Sequence, residues 1–211
     1  MTRATSCAVL ALSVAVCAPD ARACHNGVEL RVVPLTRTVS EAATALADDH
    51  PERAVTLAGR AIRRIRGERP NARNRHLMNR AKRILALAAV RLDGGVDTEH
   101  LVVAAGARPE DRQAALRWAL GVLEHAFAGD GGPAATAAYA EALARFASQR
   151  ARARTLLAGL AARDLMPDAS GYRALAALEE GAARERALAG CRARAGARAA
   201  RVCQVPAAGE G

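Results

Sequence analysis

The chain has 211 residues and a formal net charge of +10; 51% of its residues are hydrophobic and 2% are aromatic. This length allows one sizeable core or one short stack of repeats. Its Val-rich stretches are too short and isolated to build a sheet, which excludes β-containing classes and favours an all-α fold. Because alanine supplies most of the apolar residues, a stable core requires closely apposed helices.

The first 23 residues have the features of a secretory signal peptide. Arg3 gives a positive start, Cys7–Ala18 forms an apolar run, and Ala21-Arg22-Ala23 places small residues where a signal peptidase cleaves. The run is about 12 residues long, too short to cross a bilayer as a helix, and no later segment reaches that threshold. We therefore expect export to the periplasm or secretion.

Removal of this segment leaves Cys24, Cys191 and Cys203, an odd number in an oxidising compartment. Cys191 and Cys203 are close enough in sequence to form a disulfide that fastens the tail to the last helix, worth about 3 kcal/mol. Cys24 is then either unmodified, or the lipid-anchored first residue of an envelope lipoprotein. The sequence Ala21-Arg22-Ala23 favours the first, because a lipobox prefers Leu three residues before the cysteine.

Residues 24–38 are predicted to be an extended lead-in, and residues 39–196 a domain of helices. The first helix is predicted over Val39–Ala47 with Ser40 as its cap, and Pro51 begins the second. A third helix is predicted from Arg75 to Leu92, followed by a glycine turn. One face of the second helix carries small or apolar residues at helical spacing: Ala54, Ala58, Ala61 and Ile62.

The second half of the domain continues the pattern. A short helix is predicted near Thr98–Ala105, and the acidic start Pro109-Glu110-Asp111 opens a helix that ends near Phe127. Asp168 or Ser170 is expected to cap a later helix. After a glycine turn, helices are predicted over Ala134–Phe146, Ala151–Asp164, Ser170–Glu180 and Ala182–Ala195. Residues 197–211 are predicted to be a flexible tail unless Cys203 ties them down.

Two of these helical hairpins are similar to each other. Ala42–Ile62 matches Leu123–Leu143 at a constant offset, with Asp49 opposite Asp130. The second-helix positions pair as Ala54 with Ala135, Ala58 with Tyr139, Ala61 with Ala142 and Ile62 with Leu143. This pattern of small, aromatic and aliphatic residues resembles tetratricopeptide repeats. Alanine-rich hairpins outside any family are the alternative interpretation.

The resemblance implies a short, irregular right-handed stack of hairpins that binds a peptide or partner protein in a concave groove. It also implies that Arg117 and Glu124, at first-helix groove positions, contact the partner.

No assembled chemistry is apparent in the sequence. The five histidines fall in different predicted elements without the spacing of a metal site. Neither a nucleophile elbow nor a phosphate-binding Gly-rich loop is present. We therefore expect no enzymatic activity, no metal and no cofactor.

A dense basic cluster extends from Arg60 to Arg83. Arg60, Arg63 and Arg64 share a helix face that is able to meet acidic lipid, polysaccharide or nucleic acid. The stretch contains no aromatic residue on which bases would stack, so nucleic acid is not expected. A solvated helix face is the simpler interpretation.

The sequence thus predicts a non-catalytic interaction scaffold or adaptor of the bacterial envelope. Its partner is expected to be a protein or peptide, and membrane attachment only through a lipid at Cys24. The alternative is a polyanion-binding protein that uses the Arg60–Arg83 cluster.

Overall fold

The fold was analysed in a computed structural model of the chain, which describes residues 34–96, 100–101, 104 and 111–205. The predicted signal peptide, Cys24 and most of the short helix near residue 100 lie outside these residues. The helices are α1 (Leu35–Ala47), α2 (Pro51–Arg66), α3 (Ala72–Arg91), α4 (Arg112–Asp130), α5 (Pro133–Leu143), α6 (Arg150–Ala162), α7 (Ala169–Leu178), α8 (Gly181–Ala195) and the short α9 (Ala199–Val202).

Each helix packs against the next one in the chain, from α1 on α2 through to α7 on α8. The described residues contain no strand. The all-α prediction is therefore confirmed, with adjacent helices packed as in stacked hairpins. No described helix combines the length and apolar character needed to span a bilayer.

Small side chains allow the helices to approach closely, as the alanine content predicts. Ala54, Ala58 and Ala61 of α2 are 0–1% exposed, together with Ile62. Gly190 of α8 lies against the ring of Tyr172 in α7, where an added Cβ would come within 2.6 Å of Cε1. A larger side chain at this position would force the two helices apart.

The central helix is α5, whose residues from Thr136 to Leu143 are all buried. Ala138 and Ala142 face the core formed with α1 to α4, whereas Ala137 and Ala140 face the core formed with α6 to α9. A helix that is apolar around its circumference is expected in such an enclosed position. Glu141 is its one buried charged residue among those described.

The first helix begins earlier than predicted. It starts at Leu35, directly after Pro34, so Leu35–Thr38 is not part of an extended lead-in. Ser40 lies within the helix and does not cap it. Thr38 and Val39 are buried by the neighbouring helices, and this tertiary packing outweighs the local capping signal.

The two similar hairpins turn in the same way but one residue out of the predicted register. Asp49 and Gly131 both adopt a left-handed conformation, with φ of 59° and 60°. Two residues later, Pro51 and Pro133 open the second helix of each pair. The turns therefore match Asp49 with Gly131, whereas the sequence comparison placed Asp49 opposite Asp130.

Residues 197–205 are not a flexible tail, because the condition attached to that prediction is met and Cys203 is tied down by its disulfide. They form a 3-10 turn and α9, and Val202 is buried. Arg198 donates to Asp48 Oδ1 at 2.7 Å, and Arg201 donates to the Asp48 carbonyl at 2.9 Å. The segment is fastened to the turn between α1 and α2, which is distant in sequence.

Candidate functional site

A buried arginine joins the two halves of the helical stack. Arg91, the last residue of α3, has a side chain only 2% exposed. Its Nε and Nη2 donate to the two carboxylate oxygens of Glu141, both at 3.0 Å, and Nη2 also donates to Asp168 at 3.1 Å. Its Nη1 donates to the Leu46 carbonyl at the end of α1 at 3.0 Å. One guanidinium thus connects α1, α3, α5 and the start of α7.

The electrostatic balance of this cluster favours the charged forms. Burial by itself would lower the pKa of Arg91, but the charges of Glu141 and Asp168 outweigh it and raise that pKa above its ordinary value. For Asp168, burial acts to raise the pKa, but Arg91 and the backbone N–H groups of Gly171 and Ser170 together lower it. Asp168 is also the cap of α7, one of the two capping residues that the sequence predicted.

An open cleft of about 650 Å³ lies beside this cluster and is called the arginine cleft below. Its volume is in the range of sites that hold a small ligand or a few peptide residues. Five helices line it, from α3, α5, α6, α7 and α8, together with the segment after α9. Its apolar lining includes Val90, Ala144, Ala174, Ala177, Leu178 and Val205.

Besides Arg91, four arginines line this cleft, and the fold engages them to different degrees. Arg145 lies 3.5 Å from Asp93, and Arg173 lies 3.5 Å from Asp49 while donating to the Val202 carbonyl at 3.2 Å. Arg150 makes one long hydrogen bond, 3.4 Å, to the Ala177 carbonyl. Arg184 makes no side-chain hydrogen bond or ion pair with the described part of the chain.

The comparisons with known proteins leave the family open. No family model, curated protein or solved structure matches the chain. The described residues establish an all-helical protein of about eight helices packed as sequential hairpins. The resemblance to tetratricopeptide repeats stays a prediction for the hairpins α1–α2 and α4–α5.

The two predicted partner-binding residues lie on α4, away from the arginine cleft. Arg117 and Glu124 are both exposed and two helical turns apart. Glu124 accepts a hydrogen bond from the Tyr139 hydroxyl at 3.2 Å. Tyr139 in turn stacks on Phe127 at 5.0 Å between ring centroids, so Glu124 is tied to the hairpin α4–α5.

The predicted polyanion-binding residues lie on α2. Arg60, Arg63 and Arg64 are exposed, and Arg64 lies 3.9 Å from Glu68. Arg60 and Arg64 line a small depression of about 180 Å³, which also contains Glu41. The face is therefore basic, with two acidic side chains beside its arginines.

The described cysteines are paired, and the described histidines are not grouped with other ligands for a metal ion. Cys191 and Cys203 form a disulfide, which joins α8 to the residue after α9. Within the described ranges, no group of three His, Cys, Asp or Glu side chains is arranged to hold a metal ion. His100 packs against Gly59, and its Nδ1 is buried without a hydrogen-bond partner among the described residues.

Sequence reasoning missed the arginine cleft. Its basic residues come from separate elements, so no run of charge marks them. The nearest sequence signal was the junction Asp168-Ala169-Ser170, which lies beside the cleft. The sequence identified this junction only as a helix cap.

Proposed function

We propose that the protein is a non-catalytic scaffold or adaptor of the bacterial envelope that holds a protein or peptide partner in the arginine cleft. One observation carries this proposal. An open cleft of about 650 Å³ is lined by α3 and by α5 to α8, and it combines an apolar lining with arginine side chains that retain unused hydrogen-bond donors. Stacked hairpins present such surfaces because each helix pair contributes side chains to the same side.

The exported location and a possible lipid at Cys24 remain part of this proposal. The disulfide between Cys191 and Cys203 is compatible with an oxidising compartment. Mass determination of the mature N-terminus tests both points. A chain that begins after Ala23 supports export, and an added acyl mass on Cys24 identifies the lipoprotein form.

Site-specific photo-crosslinking in native envelopes tests the binding proposal. A crosslinking residue replaces Ala177, which is exposed in the arginine cleft. Matched probes replace Arg117, on the face implied by the family resemblance, and Arg63, on the basic face of α2. We expect a discrete protein adduct from position 177 and none from position 63. An adduct only from position 117 would move the partner to α4, and adducts from none of the positions would contradict a scaffold role.

A second candidate function is polyanion binding through α2. It is favoured by the exposure of Arg60 and Arg63, for which the structure gives no ion pair with the described residues. Because counterions are released on binding, such an affinity would fall steeply as the salt concentration rises. A double exchange of Arg60 and Arg63 for Gln would then abolish heparin or anionic-vesicle binding, whereas exchange of Arg150 and Arg184 would not.

A further inference from the structure

We infer that the arginine cleft recognises an acidic peptide segment, in which carboxylates held by Arg150 and Arg184 flank a small apolar side chain. This inference rests on the proposed function, because the partner held in the cleft supplies the segment. It goes further by naming the chemistry that is recognised and the two residues that anchor it.

The charges that line the cleft are not balanced within the protein. Arg91 is neutralised by Glu141 and Asp168, Arg145 by Asp93, and Arg173 by Asp49. Arg150 and Arg184 have no carboxylate within ion-pair distance among the described residues. Arg150 and Arg184 therefore offer a ligand two unpaired cations, and the five arginines and four carboxylates together leave the cleft a net charge of one positive.

The donor geometry of arginine suits carboxylates. Each guanidinium carries five N–H donors and accepts nothing, and a planar carboxylate is able to receive two of them at once. Arg150 uses one donor on the Ala177 carbonyl, and Arg184 uses none within the described chain. Both side chains are therefore free to form bidentate contacts without breaking the fold.

The rest of the lining favours a peptide over a nucleotide or a polyphosphate. No described residue of the lining is aromatic, so a base would have no ring to stack on. Because Asp93 and Glu141 already pair with Arg145 and Arg91, a ligand whose charge is dense and uninterrupted would find unpaired cations only at Arg150 and Arg184 among the described lining residues. In the same lining, Ala174, Ala177 and Leu178 offer an apolar surface that suits a small aliphatic side chain.

The test is a fluorescence-anisotropy titration of the mature protein with a short labelled peptide that alternates glutamate and valine. The cleft variant is Arg150→Gln with Arg184→Gln, and its control is Arg60→Gln with Arg63→Gln, which removes the same charge from α2. We expect the cleft variant to weaken binding by about tenfold or more, since two charge-assisted contacts are lost, and the control to bind as the unmodified protein does. Circular dichroism confirms that both variants remain folded.

The other outcomes separate this inference from the function on which it rests. Equal weakening by both variants would show attraction to net charge alone and overturn the inference. A glutamine–valine peptide that binds as tightly as the glutamate–valine peptide would also overturn it. The same holds if inorganic polyphosphate displaces the labelled peptide at far lower concentration than unlabelled peptide does. If the glutamate peptide fails to bind while the Ala177 crosslink to a protein persists, the ligand chemistry is wrong and the scaffold function stands. If no position gives a protein adduct, the scaffold function itself fails.

Discussion

At the scale of single residues, Arg91 is the charged side chain that joins the two cores on either side of α5. Its guanidinium meets a backbone carbonyl of α1, a carboxylate of α5 and the capping aspartate of α7. A buried charge pair adds little net stability relative to a well-packed apolar pair, but removal of one partner leaves the other charge buried and uncompensated.

Replacement of Arg91 by methionine is therefore expected to destabilise the protein by about 3–5 kcal/mol, because the carboxyl group of Glu141 is left buried without its partner. Urea unfolding measures this difference. The control is Arg37→Met, which removes an ion pair whose side chains are 70% and 40% exposed, and it should cost less than about 1 kcal/mol. Adding Glu141→Leu to Arg91→Met should recover much of the loss. Similar losses for Arg91→Met and Arg37→Met would contradict the role assigned to the buried cluster.

Asp168 gives a pH dependence whose sign is fixed by its lowered pKa. The pKa of Asp168 is lower in the folded protein than its ordinary value of 3.8. Its carboxylate therefore stabilises the fold at pH values above about 4. That stability is lost as the pH falls from about 4 through the folded-state pKa. Asp168→Asn retains a good helix cap but removes the charge. We expect this variant to be less stable than the unmodified protein at pH 7 and to approach it near pH 3.

Denaturant unfolding at a series of pH values measures this difference. Asp130→Asn serves as the control, because Asp130 is 65% exposed and lies 4.0 Å from Arg83. A stability difference for Asp168→Asn that stays constant from pH 7 to pH 3 would contradict the assignment.

The sequence offered no means to predict the role of Arg91. A basic residue at the end of a helix is typical of a solvent-exposed position that interacts with the helix dipole. Its burial depends on α5 and α7, whose residues Glu141 and Asp168 are 50 and 77 positions away in the chain. By contrast, the cap of α7 was narrowed to Asp168 or Ser170 from the sequence, because that role depends only on the adjacent residues, and Asp168 is the one that caps the helix.

At the scale of helices and turns, the hairpin between α4 and α5 depends on one glycine. Gly131 ends α4 with φ of 60°, a conformation that strains any residue with a Cβ. Gly131→Ala is expected to destabilise the protein by about 1 kcal/mol. Gly129→Ala, in the last turn of α4 with open space around it, should instead be neutral or stabilise by up to about 1 kcal/mol. Thermal unfolding measures the change in stability of both variants. Changes of the same sign would contradict the requirement for a left-handed residue at position 131.

The disulfide links the C-terminal segment to the wall of the arginine cleft. Cys203 immediately precedes Gln204 and Val205, which line the cleft. Reduction is expected to lower stability by about 3 kcal/mol and to weaken binding of the glutamate–valine peptide, because this wall is released. Anisotropy titrations with and without reductant measure the change. The Cys203→Ser variant should bind the peptide as the reduced protein does, with or without reductant. Equal peptide affinity of the unmodified protein with and without reductant would contradict this coupling.

Helix interiors were predicted better than helix ends. The buried face of α2 follows directly from the spacing of its alanines and Ile62, because helical periodicity is a local property. The end of α4 was placed near Phe127, but the helix continues to Asp130 and stops at Gly131. Several glycines there offer alternative ends, and Gly131 is the one that adopts the left-handed conformation and ends the helix.

At the scale of the whole molecule, α5 separates two cores and the arginine cleft opens where they meet. The sequence predicts the class of fold, because all-helical periodicity and alanine content appear in every segment. It does not predict the cleft, since Arg145, Arg150, Arg173 and Arg184 come from different elements that only tertiary packing brings together. The run of basic residues from Arg60 to Arg83 instead predicted a polyanion-binding face on α2.

The most direct test of the binding site is an NMR titration of the isotope-labelled protein with the glutamate–valine peptide, observing the side-chain Nε–H groups of arginine and the backbone amides. We expect the largest shifts at Arg150, Arg184 and Ala177, which border the cleft, and negligible shifts along α2. Shifts confined to Arg60 and Arg63, or no shifts at saturating peptide, would contradict a binding site in the arginine cleft.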